Sequence, residues 1–158
     1  MTIYEYETLL SEAGTPYLAK SAAYSANDRL YISSEEVAEF IVSALHSQYF
    51  ADEHLHVLCF DAKNHLLGLF DASHGSATCS MVPVREIVQK ALLIGAISIA
   101  VTHNHPGGDP TPSVEDEAAT DRLIEACNVV GISLLDHIVV SRAGWCSMAD
   151  HRNRQTLT

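Results

Sequence analysis

One junction limits the folds open to this chain more than any other stretch: the short apolar run Ala96-Ile97-Ser98-Ile99-Ala100-Val101 leads almost at once into His103-Asn104-His105-Pro106. Mostly apolar and partly β-branched, the run suits a buried central strand. Strand side chains alternate with period two, so both imidazoles can leave the same face. Pro106 stops the strand from simply continuing, and Gly107, Gly108, Pro110 and Pro112 turn the chain toward a helix starting near Ser113. Asp116, in the first turn of that helix, is then able to face the two histidines. Two imidazoles and a carboxylate are three protein ligands, which leaves one corner of a zinc tetrahedron for water. Each piece has a plainer role. Ser113 can simply cap a helix whose dipole favours Asp116, and two histidines ending a strand often just face water. Their arrival on one strand–loop–helix unit is what points to a metal.

The rest of the chain is consistent with one domain. At 158 residues it is too short for two enzyme domains or a (β/α)₈ barrel, and 47% hydrophobic residues can supply one core. Nine Lys and Arg against twenty Asp and Glu give a net charge of −11, which repels phosphate backbones and disfavours broad DNA contact. No apolar run approaches the roughly 20 residues of a membrane span, and the opening residues lack the basic start and apolar stretch of a signal peptide, so a cytoplasmic location is expected. Cys59, Cys79, Cys127 and Cys146 form no Cys-x-x-Cys pair and read as small buried hydrophobes in a reducing compartment.

Residues 1–32 show weak periodicity and read as an N-terminal arm; residues 33–149 carry the domain and 150–158 a polar tail. Ser33 and Glu36 have capping-box spacing before a helix with Val37, Phe40, Ile41, Ala44 and Leu45 on one face. His54 to Phe60 reads as a strand, Asp61 to Asn64 as a turn, and Leu66 to Asp71 as the hairpin partner. A loop over Gly75 to Thr78 and a short strand near Cys79 to Val82 precede a helix opened by Pro83 and stopped by Gly95. A third helix runs from near Ser113 to Gly131. Ile132 to Ser141 and Trp145 to Met148 read as closing strands.

A zinc hydrolase also needs a base near the attacking water. Glu86, near a helix start, and Glu53, before the first strand, are both candidates. Alternation puts Glu53 on the face of Leu55 and Val57, a costly place for a carboxylate without a function, and this favours Glu53. The pair His54 and His56 repeats the period-two spacing but lacks the following loop and capped acid, so it reads as an exposed edge face, although either histidine could line the site. His137 reads as a hydrogen-bonded core residue. His46, His65, His74 and His151 receive no role.

His103-x-His105-Pro106, six residues, Ser113, two residues and Asp116 resembles, residue for residue, the JAMM signature of MPN/JAB metalloproteases, zinc isopeptidases that include deubiquitinases. Within that group the chain is similar to the bacterial RadC-like family. The likeness rests on His-Asn-His-Pro-x-Gly-Asp-Pro-Thr-Pro-Ser-x-x-Asp, on Pro83-Val84-Arg85-Glu86 and on Leu134-Leu135-Asp136-His137-Ile138-Val139-Val140, and covers about residues 31 to 149. Gly107 stands where such sequences commonly have Ser, and the helix-hairpin-helix region of longer RadC proteins has no counterpart here, which weakens any DNA role. The resemblance implies a single MPN/JAB-like (cytidine-deaminase-like) α/β domain, a curved mixed sheet flanked by about three helices. It implies Zn2+ held by His103, His105 and Asp116, Glu53 as general base, and Ser113 as a hydrogen-bond donor to the oxyanion. The expected activity is hydrolysis of a peptide or isopeptide bond in a peptide or protein substrate. The alternative is a non-enzymatic, DNA-repair-associated accessory module whose zinc is structural, and it predicts a fourth protein ligand such as a cysteine or His137.

Overall fold

The computed structural model describes residues 1–26, 30, 31, 33–75 and 82–156, with side chains up to Asn153. Seven strands form one sheet: β1 (Thr2–Leu10), β2 (Pro16–Ser25), β3 (Glu53–Phe60), β4 (Leu66–Gly75), β5 (Ser98–Asn104), β6 (Ser133–Ser141) and β7 (Gly144–Ser147). Their order is β2-β1-β4-β3-β5-β6-β7. The β1–β4 and β5–β6 pairs are parallel and the rest antiparallel, so the sheet is mixed. Among the described residues four α-helices accompany it: α1 (Ser34–Phe40), α2 (Val84–Ile94), α3 (Val114–Val130) and α4 (Met148–Thr156).

Alternation along β3 explains why the sheet is covered on both sides. Val57 and Cys59 join Ile87, Ala91, Ile99, Val101, Leu123 and Cys127 in a core shared with α2 and α3. Leu58 and Phe60 point the other way, into a core with Val37, Phe40, Ile41, Leu69, Ala100 and Ile138 beneath α1. A strand buried on both faces must read as a nearly continuous apolar run, and Val57 to Phe60 are all 0% exposed. Each large side chain so buried contributes about 1.5–3 kcal/mol relative to exposure. The Ser33–Glu36 capping box closes the start of α1 in both directions, and Gly95 and Gly131 end α2 and α3 in the left-handed conformation that glycine adopts without a Cβ penalty.

Several elements differ from their sequence reading. Residues 1–32, read as an arm, contain the β1–β2 hairpin, and β1 pairs with β4 beside the core. Register shifts between Glu5 and Tyr6, which breaks the alternation that would have signalled a strand. The polar tail is occupied by α4, a helix absent from the sequence reading, and Met148, read as strand, opens it. The central strand continues to Asn104, so His103 lies inside β5 rather than after it. Cys59 and Cys127 are buried and Cys146 is partly exposed. The short strand expected near Cys79, and Cys79 itself, fall outside the described residues.

Candidate metal centre

β5 lies between β3 and β6, with His103 opposite Leu55 on one side and Val139 on the other. The backbone N–H of His105 donates to the Val140 carbonyl at 2.8 Å, so pairing with β6 extends past the last strand residue and fixes the second imidazole as well. Across the loop, Ser113 caps α3. Its Oγ accepts from the Asp116 N–H at 3.1 Å, while the Asp116 carboxylate accepts from Ser113 N–H at 2.8 Å and from Ser113 Oγ at 2.6 Å. The same local contacts that start the helix therefore aim the carboxylate.

Three ligand atoms converge. His103 Nε2 lies 2.9 Å from His105 Nε2 and 3.3 Å from Asp116 Oδ1, and His105 Nε2 lies 3.5 Å from Asp116 Oδ2. Ligands about 2.0–2.1 Å from a zinc ion at tetrahedral angles stand roughly 3.3 Å apart, close to this spacing. Among the described residues the group contains these three and no other His, Cys, Asp or Glu.

One set of proton positions satisfies all of the surrounding hydrogen bonds. With Thr120 Oγ1 donating to the Asp116 carbonyl at 2.7 Å, it accepts from His137 Nδ1, 2.6 Å away. His137 then carries its proton on Nδ1 and presents a bare Nε2 to His103 Nδ1 at 2.7 Å, which must donate. His105 Nδ1 donates to the Asp109 carbonyl at 2.8 Å. Both Nε2 atoms are left with lone pairs facing each other and a carboxylate, an arrangement that only a cation or a shared proton relieves. The donor set thus fits a divalent metal. Hydrogen bonding to the Asp116 carboxylate is the main cause that raises the His105 pKa, against burial. Burial opposes the charge on Asp116, yet hydrogen bonds with His103 and His105 and with Ser113 hold its carboxyl well below the usual range. Burial keeps His137 neutral, far below its ordinary value.

Glu53, His103, Asp116 and His137 line one cavity of about 120 Å³ together with Leu55, Val82 and Ala119, and His54 and His74 border it as well. Asn104, the residue between the two histidines, points to the opposite face of β5 and is 1% exposed. Its Oδ1 accepts from His54 N–H at 2.8 Å and its Nδ2 donates to the Asp52 carbonyl at 2.9 Å. These bonds grip the residues on both sides of Glu53 and hold it at the cavity wall.

The structure therefore brings His103, His105, Asp116, Ser113 and Glu53 to one place, while Glu86 is exposed on the first turn of α2 and does not line the cavity. The sequence reading missed Asn104 and Thr120, and it took His137 for a core residue or a fourth ligand rather than the hydrogen-bond partner of His103. The only signal for Asn104 was a polar side chain on the inner face of an apolar strand. One reading is corrected: His54 and His56 do not form an exposed edge, because β3 is internal and His56 is 4% exposed, whereas His54 does border the cavity, as the sequence also allowed.

A mixed α/β sheet whose central strand and adjoining helix start gather two histidines and an aspartate is the arrangement of a JAB-type domain. The model of the RadC-like JAB domain matches residues 31–154, and the chain belongs to that family. It is 37% identical over 129 residues to a UPF0758 protein of Clostridium novyi (strain NT), covering 81% of this chain and 56% of that protein. With a UPF0758 protein of Symbiobacterium thermophilum it shares 42% identity over 106 residues, 67% of this chain and 44% of the other. A UPF0758 protein of Thermotoga maritima is 33% identical over 136 residues, 82% and 61% of the two chains. The chain spans about half the length of these relatives. JAB domains are often zinc metallopeptidases. Among the described residues no helix is long and apolar enough to cross a membrane.

Proposed function

We propose that this chain is a zinc-dependent metallopeptidase or isopeptidase of JAMM type, acting on a peptide or protein substrate. The observation that carries the reading is the convergence of His103, His105 and Asp116 on one point, with Glu53 on the wall of the same cavity. When bound there, zinc would supply a Lewis acid that polarises the scissile carbonyl and brings a water to a pKa of about 7. Glu53 takes the proton of the attacking water and delivers it to the leaving amine. Asn104 holds the backbone on both sides of Glu53 and so limits where that carboxylate reaches. Ser113 gives its hydroxyl proton to Asp116 Oδ2 in this structure and turns it toward the oxyanion during the reaction, a contribution of the kind worth about 10²–10³ in rate. His137 keeps His103 in the tautomer that leaves Nε2 free.

A purely structural zinc needs a fourth protein ligand, and both ring nitrogens of His137, the nearest candidate, are already in hydrogen bonds. The direct test is digestion of an unbiased peptide library, including branched isopeptides, by zinc-loaded and by chelated protein. Cleavage that appears only with zinc supports the reading; a zinc-loaded protein that cuts no bond contradicts it.

A further inference from the structure

We propose a second metal site on the reverse face of the sheet, formed by His54, His56 and Asp71 with His74 as fourth ligand, for a borderline divalent ion such as zinc. Because His103 pairs directly with Leu55, alternation turns the side chains of His54 and His56, one step away along β3, toward the other face of the sheet, while His54 and His74 also border the cavity of the centre described above. The β3–β4 register then places His56 against Asp71 and His54 against His74. One ligand atom each from His54, His56 and Asp71 lie within 4.8 Å of one another. Asp71 Oδ2 is 2.9 Å from His54 Nδ1 and 3.4 Å from His74 Nδ1. The His54 ring stacks between those of His56 and His74, at centroid distances of 5.8 and 5.4 Å.

Two features go beyond a set of histidine–aspartate hydrogen bonds. Asp71 Oδ1 is buried with no hydrogen-bond partner, a costly state for a carboxylate oxygen that a coordinated cation would remove. The Phe50 ring lies 4.6 Å from the His54 ring and 6.2 Å from that of His56, so one side of the cluster is shielded by an aromatic surface. Imidazole nitrogen with a single carboxylate is the donor set of zinc and its neighbours rather than of calcium or magnesium. Three imidazoles and a carboxylate also close the tetrahedron, which is the pattern of a structural ion and not of a catalytic one. Such an ion ties the start of β3, next to Glu53, to the end of β4.

The test is the zinc content of chelator-stripped protein after zinc titration and gel filtration. Wild type is expected to retain two zinc ions per chain. The double variant with His54→Ala and His74→Ala, the first side chain partly exposed and the second exposed, is expected to retain one, as is Asp71→Asn, which preserves the shape of the carboxylate; circular dichroism checks that both are folded. Asp116→Asn is also expected to retain one, and combining it with the double variant leaves none. Retention of one ion by wild type, unaltered by the double variant and by Asp71→Asn, overturns the proposal. If the double variant loses an ion and Asp116→Asn loses none, the reverse-face site stands and the centre at His103 fails.

Discussion

The chain writes the same motif twice, His103-Asn104-His105 on β5 and His54-Leu55-His56 on β3, and the two stretches end in different environments. On β5 the strand stops, a loop turns, and a capped helix start brings Asp116 to the imidazoles from outside the sheet. On β3 the acid comes from the neighbouring strand, held only by register. The first arrangement has a carboxylate fixed by its own helix cap and an outer hydrogen-bond partner for each histidine. The second has stacked rings, an orphaned carboxylate oxygen and an aromatic shield. Histidine spacing alone therefore does not decide the kind of centre; the element that delivers the acid does.

The largest effect expected from this contrast is on pH-dependent stability, and it belongs to the reverse face. Burial, partly opposed by Asp71, pushes the His56 imidazole down to about 4 from 6.5. Its folded value lies below its unfolded one, so the unfolded chain binds the proton first. Stability is intact above pH 6.5 and is lost as the pH falls toward 4, by about 3 kcal/mol for this group, at roughly 1.4 kcal/mol per unit. His137 is depressed in the same sense and adds to the loss. Urea unfolding of chelated protein at pH 7 and pH 4 should therefore show a loss about 3 kcal/mol smaller in His56→Gln than in wild type. Equal losses would show that His56 is solvated.

A smaller effect sharpens the other half. His137→Leu leaves the His103 Nδ1 proton without an acceptor and frees the ring to turn. Zinc affinity at the β5 centre, measured by chelator competition, should fall about 10–100-fold. Unchanged affinity would mean that strand pairing alone orients His103. Smallest is Ser113→Ala, which removes a helix cap and one hydrogen bond to Asp116 and should cost about 1 kcal/mol in urea unfolding. Ser33→Ala, at the matching capping box of α1, is the comparison: it should cost a similar amount and leave zinc affinity unchanged, whereas Ser113→Ala should weaken it.

The features legible in the residues are the local ones. Period-two alternation and the three-residue span of a capping box are short-range properties, so the meeting of His103, His105 and Asp116 and the facing of Glu53 are visible in the residues themselves. The burial of His56 depends on β3 having β4 on one side and β5 on the other, which no local pattern states. The bond between His103 and His137 joins residues 34 apart across parallel strands. The β1–β2 hairpin hid behind a register shift and half-exposed side chains, and α4 behind a polar segment whose helix is held partly by Arg152 bridging to Asp121 on α3. Long-range pairing, in each case, supplied what the pattern lacked.

The claim that the β5 centre hydrolyses peptide or isopeptide bonds rests most directly on Glu53. The decisive measurement is turnover by Glu53→Gln and wild type on a bond cut by the zinc-loaded protein, at matched zinc content. The account predicts unchanged zinc binding with turnover reduced by about 10²–10⁴; equal turnover in the two proteins would contradict it.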